Sequence, residues 1–157
     1  IVAIVRGAPE ARAFEPFVWL IVGLSAAPSV KIWNLVAGRI GAFQAFALGC
    51  LIEAAGVVAS AVWVTPAGAL FAAATLGGTF VGVTALGLMA ARLMTAGDPR
   101  RAVAIMTVAF ALGQIVGPVV AGVVFDRTGS FAPASLAAAA ALAVAAGLGA
   151  MAPRARG

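Results

Sequence analysis

Glu53 is the residue whose type and position point most directly to chemistry, because the chain is uncharged over long stretches on both sides of it. Thirteen uncharged residues separate it from Arg39, and the next 38, Ala54 to Ala91, are uncharged as well. It lies 12 residues into a predicted apolar helix, about 18 Å along the axis at ~1.5 Å per residue. An ionisable group at that depth in a membrane is costly and marks a candidate functional site.

Two interpretations of Glu53 stay open. It is a candidate for proton coupling, because a carboxyl group at that depth can carry a proton between the two sides of a membrane. Alternatively, it is a structural residue that is protonated or hydrogen-bonded, or one that snorkels from a shifted helix. The structural interpretation is favoured by the small side chains about one turn away, which suit close helix packing. These neighbours are Gly49, Cys50, Gly56 and Val57.

Other reactive groups are scarce. The chain has no His and no Tyr, and Cys50 is its single cysteine. These counts exclude Ser-His-Asp and Cys-His catalysis, a His-ligated metal, a Cys-cluster zinc site and an internal disulfide. Because neither a nucleophile–base pair nor a metal-ligand set is present, no enzymatic activity, cofactor or metal is expected.

The elements that must position Glu53 follow from composition and from the spacing of charges. Hydrophobic residues make up 64% of the 157 residues and charged residues only 10%, whereas an average soluble domain is about 25% charged. Charges and prolines divide the chain into stretches close to the ~20 apolar residues that a spanning helix needs. We predict an all-α membrane protein, a polytopic bundle of five transmembrane helices preceded by a helix remnant at 1–5. The predicted helices are at about 16–35, 41–63, 66–93, 101–125 and 131–151.

Basic residues are divided unequally between the two ends of these helices. Seven lie on one side and three on the other, and Lys and Arg concentrate on the cytoplasmic side of membranes. The C-terminus is therefore expected in the cytoplasm. The net charge of +5 is a topology signal, and no nucleic-acid partner is expected, because the basic residues are spread among loops without interleaved aromatic residues.

Three tryptophans lie near the ends of predicted helices: Trp19, Trp33 and Trp63. Tryptophan is enriched at membrane–water interfaces, where its amphipathic ring is well solvated. We therefore predict interfacial anchoring for them, with the filling of gaps between helices as the alternative.

Small residues recur at helical spacing in the third and fourth predicted helices. Gly113 and Gly117 are four residues apart, so they share a face on which another helix can approach closely. Pro118 removes a backbone hydrogen bond and is expected to kink its helix. One face of the third helix is small and lined by hydroxyl groups, and it carries Thr75, Gly78, Thr79 and Gly82.

Taken in order, these stretches resemble the major facilitator superfamily of transporters, in particular an uncharacterised, sugar-transporter-like bacterial branch. The resemblance covers nearly the whole chain, as the end of helix seven followed by helices eight to twelve. It rests on residues 77–86 (GGTFVGVTAL), residues 113–118 (GQIVGP), the pair Ala121-Gly122, and residues 126–129 (DRTG). Helix-packing or gating roles are implied for Gly78, Gly82, Gly113, Gly117, Pro118 and Gly122.

The superfamily also carries a cytoplasmic loop of the form Gly-x-Leu-x-Asp-Arg-x-Gly, to which residues 34–41 (NLVAGRIG) are similar. Arg39 and Gly41 are retained, whereas Gly38 stands at the acidic position and Asn34 at the first glycine. An acid–arginine latch is therefore not favoured here. Capping of a helix C-terminus by Arg39, or a contribution to topology, is favoured instead.

The resemblance implies two six-helix halves related by a pseudo-two-fold axis, with the solute site between them near the midplane. This chain is then the C-terminal half of a transporter in a bacterial inner membrane, and its partner is the missing N-terminal half. The third and fourth predicted helices line the site, and the polar groups implied to hydrogen-bond a solute are Thr75, Thr79 and Gln114. Each has an alternative role in satisfying the backbone of a neighbouring helix.

We therefore expect part of a secondary active transporter that moves a small solute across the cell membrane by alternating access. Two alternatives stay open. One is a small self-contained transporter that dimerises and uses Glu53 as its proton carrier, and the other is a structural membrane protein that transports nothing. The expected partners are the lipid bilayer, the missing half, a small-molecule solute and, through Glu53, a proton.

Overall fold

The structure, a computed structural model, describes residues 15–95 and 97–152. Five helices follow one another in these residues: α1 (Glu15–Ile40), α2 (Ala42–Val62), α3 (Pro66–Met94), α4 (Pro99–Thr128) and α5 (Ala132–Met151). Each is long and apolar enough to cross a membrane, so the prediction of an all-α protein with five transmembrane helices is confirmed. The predicted helix remnant at 1–5 lies outside the described residues.

The first helix is longer than the predicted range 16–35. It continues to Ile40 and therefore includes Arg39 in its last turn, where a basic side chain interacts favourably with the helix dipole. Gly41 alone joins α1 to α2, and its φ of 91° is a left-handed conformation that glycine adopts without steric cost. The glycine retained in the loop motif is thus required by the backbone of this connection.

The starts of α3 and α4 are built from signals that are visible in the sequence. The Thr65 hydroxyl accepts a hydrogen bond from the backbone N–H of Gly68 at 3.2 Å, and an Asp98 carboxyl oxygen accepts one from that of Arg100 at 2.9 Å. Both caps satisfy N–H groups that have no partner inside the helix. A proline follows each cap, at the position where a missing N–H costs nothing.

The core of the bundle is built around α3, which packs against α1 and α2, while α5 packs against α2. Small residues allow these close approaches. A methyl group at Gly77 of α3 would collide with the backbone of Val22 of α1, and one at Gly56 of α2 would collide with Thr75 of α3. Glycines thus set the spacing of the core helices, as they do in other membrane bundles.

Trp33 fills a gap between these helices. Its side chain is only 5% exposed, and its indole N–H donates a hydrogen bond to the carbonyl oxygen of Gly78 at 2.7 Å. The ring occupies space that the absent side chain of Gly82 leaves free. The prediction that Trp33 anchors the chain at the membrane interface is therefore wrong, whereas Trp19 and Trp63 are exposed and keep that prediction.

The fourth helix stands apart from this core. None of its 30 residues is buried, and it continues as one helix through Pro118. Its contacts with α3 and α5 are sparse compared with those inside the core. As a result, the space between α4 and the other helices is not filled by side chains.

Candidate functional site

Glu53 lies midway along α2 and is partly buried. Its carboxyl group shares a side-chain hydrogen bond with Thr79 of α3. The Thr79 side chain is only 2% exposed, and its hydroxyl donates to the carbonyl oxygen of Thr75 at 2.7 Å. The carboxyl group is therefore attached to the core through a buried hydroxyl that is itself held by its own helix.

Glu53 also lines a cavity of about 410 Å³ between α2, α3, α4 and α5. This volume lies within the ~300–1,000 Å³ of typical small-molecule sites. The walls are mostly apolar, and their large side chains are Phe46, Phe80, Leu88, Met106, Phe110 and Leu142. The side-chain polar groups at the cavity are those of Cys50, Glu53, Thr84 and Thr107.

Two rings define the part of the wall where α3 meets α4. The centroids of Phe80 and Phe110 are 6.0 Å apart, and the ring planes are inclined at 46°. Aromatic pairs favour such tilted contacts at centroid distances of ~4.5–7 Å. The pair is thus one of the few contacts that fix α4 against the core, and it does so at the edge of the cavity.

A second space, lined by residues without polar side chains, adjoins the first. It has a volume of about 560 Å³ and shares Phe46, Gly87, Met106 and Ala145 with the cavity at Glu53. Among the described residues that line it, none is charged. Glu53 is therefore what distinguishes the first cavity from a simple packing gap.

The three predicted solute-contacting residues are not brought together. Thr79 is the hydrogen-bond partner of Glu53. Thr75 lies against Gly56, and its single hydroxyl proton is shared between two carbonyl oxygens of its own helix at 3.0 Å each, whereas Gln114 is exposed on α4. The two threonines thus face the core, whereas Gln114 lies on the α4 face that carries Thr107, about two turns further along the helix and beyond the cavity lining.

The glycines with predicted packing or gating roles fall into two groups. Gly82 packs directly against Trp33. In the described part of the chain, a methyl group at any of the others would have no neighbouring atom within 4 Å. These open positions are Gly78, Gly113, Gly117 and Gly122. Gly78 contacts α1 through its carbonyl oxygen, which accepts the hydrogen bond from Trp33.

Thr84 and Thr107 are polar residues of the cavity that were not predicted from the sequence. Thr84 stands inside the stretch 77–86, so a hydroxyl group in a transmembrane helix was the available signal. The signal was not specific, because which face of a helix meets a cavity depends on how its neighbours pack. Within residues 15–95 and 97–152, no group of Cys, Asp and Glu side chains could hold a metal ion.

Over residues 1–150, the chain matches a family model described as uncharacterised MFS-type transporter YbfB, where MFS stands for major facilitator superfamily. No curated protein and no solved structure matches the chain. The family match agrees with the five helices that are long and apolar enough to span a membrane. The chain is therefore a multi-pass membrane protein that belongs to the family of YbfB-like transporters of the major facilitator superfamily.

Proposed function

We propose that the chain is part of a secondary active transporter that moves a small solute by alternating access, driven by a proton gradient. The match to a family of transporters over residues 1–150 carries this proposal. In this superfamily, two halves rock against each other around a site near the midplane, and the present chain is proposed to act as one half. A second half of the same transporter is then its principal partner, and no enzymatic step is involved.

The open face of α4 supports a solute pathway along this helix. Gln114 lies about midway along α4 and is exposed. An amide in contact with hydrocarbon costs free energy unless it finds hydrogen-bond partners. We propose that this face meets a water-filled pathway between the two halves and that Gln114 contacts the solute there.

The pair of Glu53 and Thr79 supports proton coupling. A hydroxyl group has one proton and two acceptor lone pairs. While Thr79 donates to Thr75, it can accept a hydrogen bond from a protonated Glu53, and a rotated hydroxyl can donate to the ionised form. Both protonation states of the carboxyl group thus have a partner at the same place, as a proton carrier requires.

Thiol accessibility tests alternating access without knowledge of the solute. Cys50 is the single cysteine of the chain and is replaced by Ala. Gln114→Cys is then introduced into a full-length gene product from which any other cysteines have been removed. A membrane-impermeant thiol reagent is then added from either side of oriented vesicles. Alternating access predicts modification of position 114 from both sides.

The matched control is Val144→Cys on α5. Val144 is 64% exposed and lies on α5, which is not one of the two helices expected to line the solute site, so we expect modification from neither side. Modification of position 114 from one side only, or from neither side, would contradict the proposal. A proton-coupled solute is then sought by recording internal pH in proteoliposomes while sugars, organic acids and amines are added in turn.

The orientation of the chain is part of the same proposal. The unequal division of basic residues supports a cytoplasmic C-terminus in a bacterial inner membrane. A reporter fused to the C-terminus, such as one that folds only in the cytoplasm, is expected to be active. Activity of a periplasm-dependent reporter at the same position would contradict this orientation.

A further inference from the structure

We propose that the cavity beside Glu53 binds lipophilic amines, with the ammonium group at the Glu53 carboxylate and the apolar body among the surrounding rings. The inference deepens the proposed function by naming a solute class, and it rests on that function only for the step from binding to transport. It is carried by the chemistry of the cavity wall.

The hydroxyl groups of the cavity offer acceptors only. Thr84 donates its hydroxyl proton to the carbonyl oxygen of Phe80, and Thr107 donates its proton to that of Val103, each at 2.8 Å. Because a hydroxyl has a single proton, only acceptor lone pairs remain for a ligand. Apart from the weak S–H donor of Cys50, the wall therefore presents oxygen acceptors.

No cation or amide balances these acceptors. Among the described residues that line the cavity, there is no Lys, Arg, Asn or Gln. An anionic solute would lie unpaired beside Glu53, and a sugar would leave its own acceptor oxygens without donors, which is costly away from water. An ammonium group instead donates several hydrogen bonds and offsets the cost of a carboxylate at mid-membrane depth.

The rest of the wall suits the apolar part of such a molecule. Phe46, Phe80 and Phe110 border the cavity, and aromatic rings bury hydrocarbon and attract cations that approach their faces. The adjoining apolar space shares Phe46 with it and offers room for a longer tail. Apolar walls with one charged group are typical of sites for amphipathic ligands.

Membrane lipids with an amine headgroup share this chemistry. Glu53 lies midway along α2, at hydrocarbon depth, whereas lipid headgroups lie at the interface. A freely diffusing amine therefore fits the site better than a resident lipid. The test separates the two sources by comparing bilayers with and without phosphatidylethanolamine.

Binding is measured with dansylcadaverine, a fluorescent primary amine, on the full-length gene product in nanodiscs of phosphatidylcholine and phosphatidylglycerol. The neutral comparison compound is N-pentyl dansylamide, which lacks only the terminal amine. We expect saturable fluorescence enhancement by the amine and at least about tenfold weaker binding of the neutral compound, because a charge-assisted hydrogen bond is lost. Equal affinity for the two compounds, or no saturable binding, would overturn the inference.

Two pairs of variants locate the site. Glu53→Gln is expected to weaken amine binding at least about tenfold, whereas Glu53→Asp keeps the charge and retains more of the affinity. Ala145→Phe places a ring at a cavity-lining position and is expected to reduce binding, whereas Ala143→Phe at an exposed position of the same helix leaves it unchanged. Unchanged binding in Glu53→Gln or in Ala145→Phe overturns the inference. If the Glu53→Gln variant does not fold, the comparison of Ala145→Phe with Ala143→Phe provides the test.

The comparison of lipid compositions and the transport measurements distinguish the remaining outcomes. Loss of amine binding in nanodiscs that contain phosphatidylethanolamine assigns the site to the lipid and overturns the inference for free amines. Transport of another solute class without amine binding overturns the inference alone. If the amine binds but position 114 is modified from one side only or from neither side, the proposed function alone is overturned.

Discussion

The two sides of α3 differ in how they meet their neighbours. Toward α1, glycines bring the helices into direct contact, and Trp33 fills the space over Gly82. Toward α4, Phe80 and Thr84 border an open cavity that contains the Glu53 carboxyl group. Residues on the two sides of α3 therefore have different roles. Those on the close-packed side set the stability of the bundle, and those on the open side are available for binding.

The largest effect is expected from Gly82→Leu. The new side chain would collide with the Trp33 ring, and overpacking of a tight interface costs about 1–3 kcal/mol or more. We expect little folded protein in membranes and a strongly lowered melting temperature in detergent.

The matched control is Gly78→Leu, one turn earlier on α3. A Cβ at Gly78 has no neighbouring atom within 4 Å, so a normal yield of folded protein is expected. Equal behaviour of the two variants would show that the close contact between Gly82 and Trp33 does not set the stability of the packed side.

Trp33→Phe is expected to have an intermediate effect on the same side. It removes the indole N–H that donates to the carbonyl oxygen of Gly78, which lies inside α3 and keeps its helical hydrogen bond, so the loss is that of one ordinary hydrogen bond, about 0.5–1.5 kcal/mol. Thermal unfolding in detergent measures the loss. Trp19→Phe serves as the control, because Trp19 is 57% exposed and its change should shift the melting temperature much less.

Gly117→Leu on α4 is expected to leave folding unchanged within about 0.5 kcal/mol, because no atom of the described chain lies near that position. Uptake by the full-length gene product is nevertheless expected to be lost, since we propose that the small face of α4 meets the other half closely. Melting temperature and uptake are measured on the same preparation. Normal uptake would show that the close approach is not needed.

Much of the fold could be predicted, because membrane helices are bounded by features that a sequence displays. The caps at Thr65 and Asp98 and the uncharged runs between loops mark four of the five helices closely. The end of α1 was misplaced, because Gly38 and Arg39 are typical of a loop although both lie inside the helix.

The site was predicted less well, for a different physical reason. The depth of Glu53 in its helix follows from counting residues along the chain, so this residue could be identified from the sequence. The rotation of each helix about its axis is set by packing, and it decides that Trp33 is buried and that Thr84 and Thr107 border the cavity with Glu53. Gln114 shares the helical face of Thr107, but it lies about two turns further along α4, beyond the residues that line the cavity. A tryptophan near a helix end suits either an interface or a gap, and spacing alone does not distinguish them.

The most direct test of the open side of α3 is proton movement in proteoliposomes that contain the full-length gene product or its Glu53→Gln variant at equal incorporation. Internal pH is recorded after addition of a transported solute, with melting temperature as the check on folding. We expect normal stability and loss of most of the solute-dependent proton movement in the variant. Undiminished proton movement in a normally folded Glu53→Gln variant would contradict this expectation.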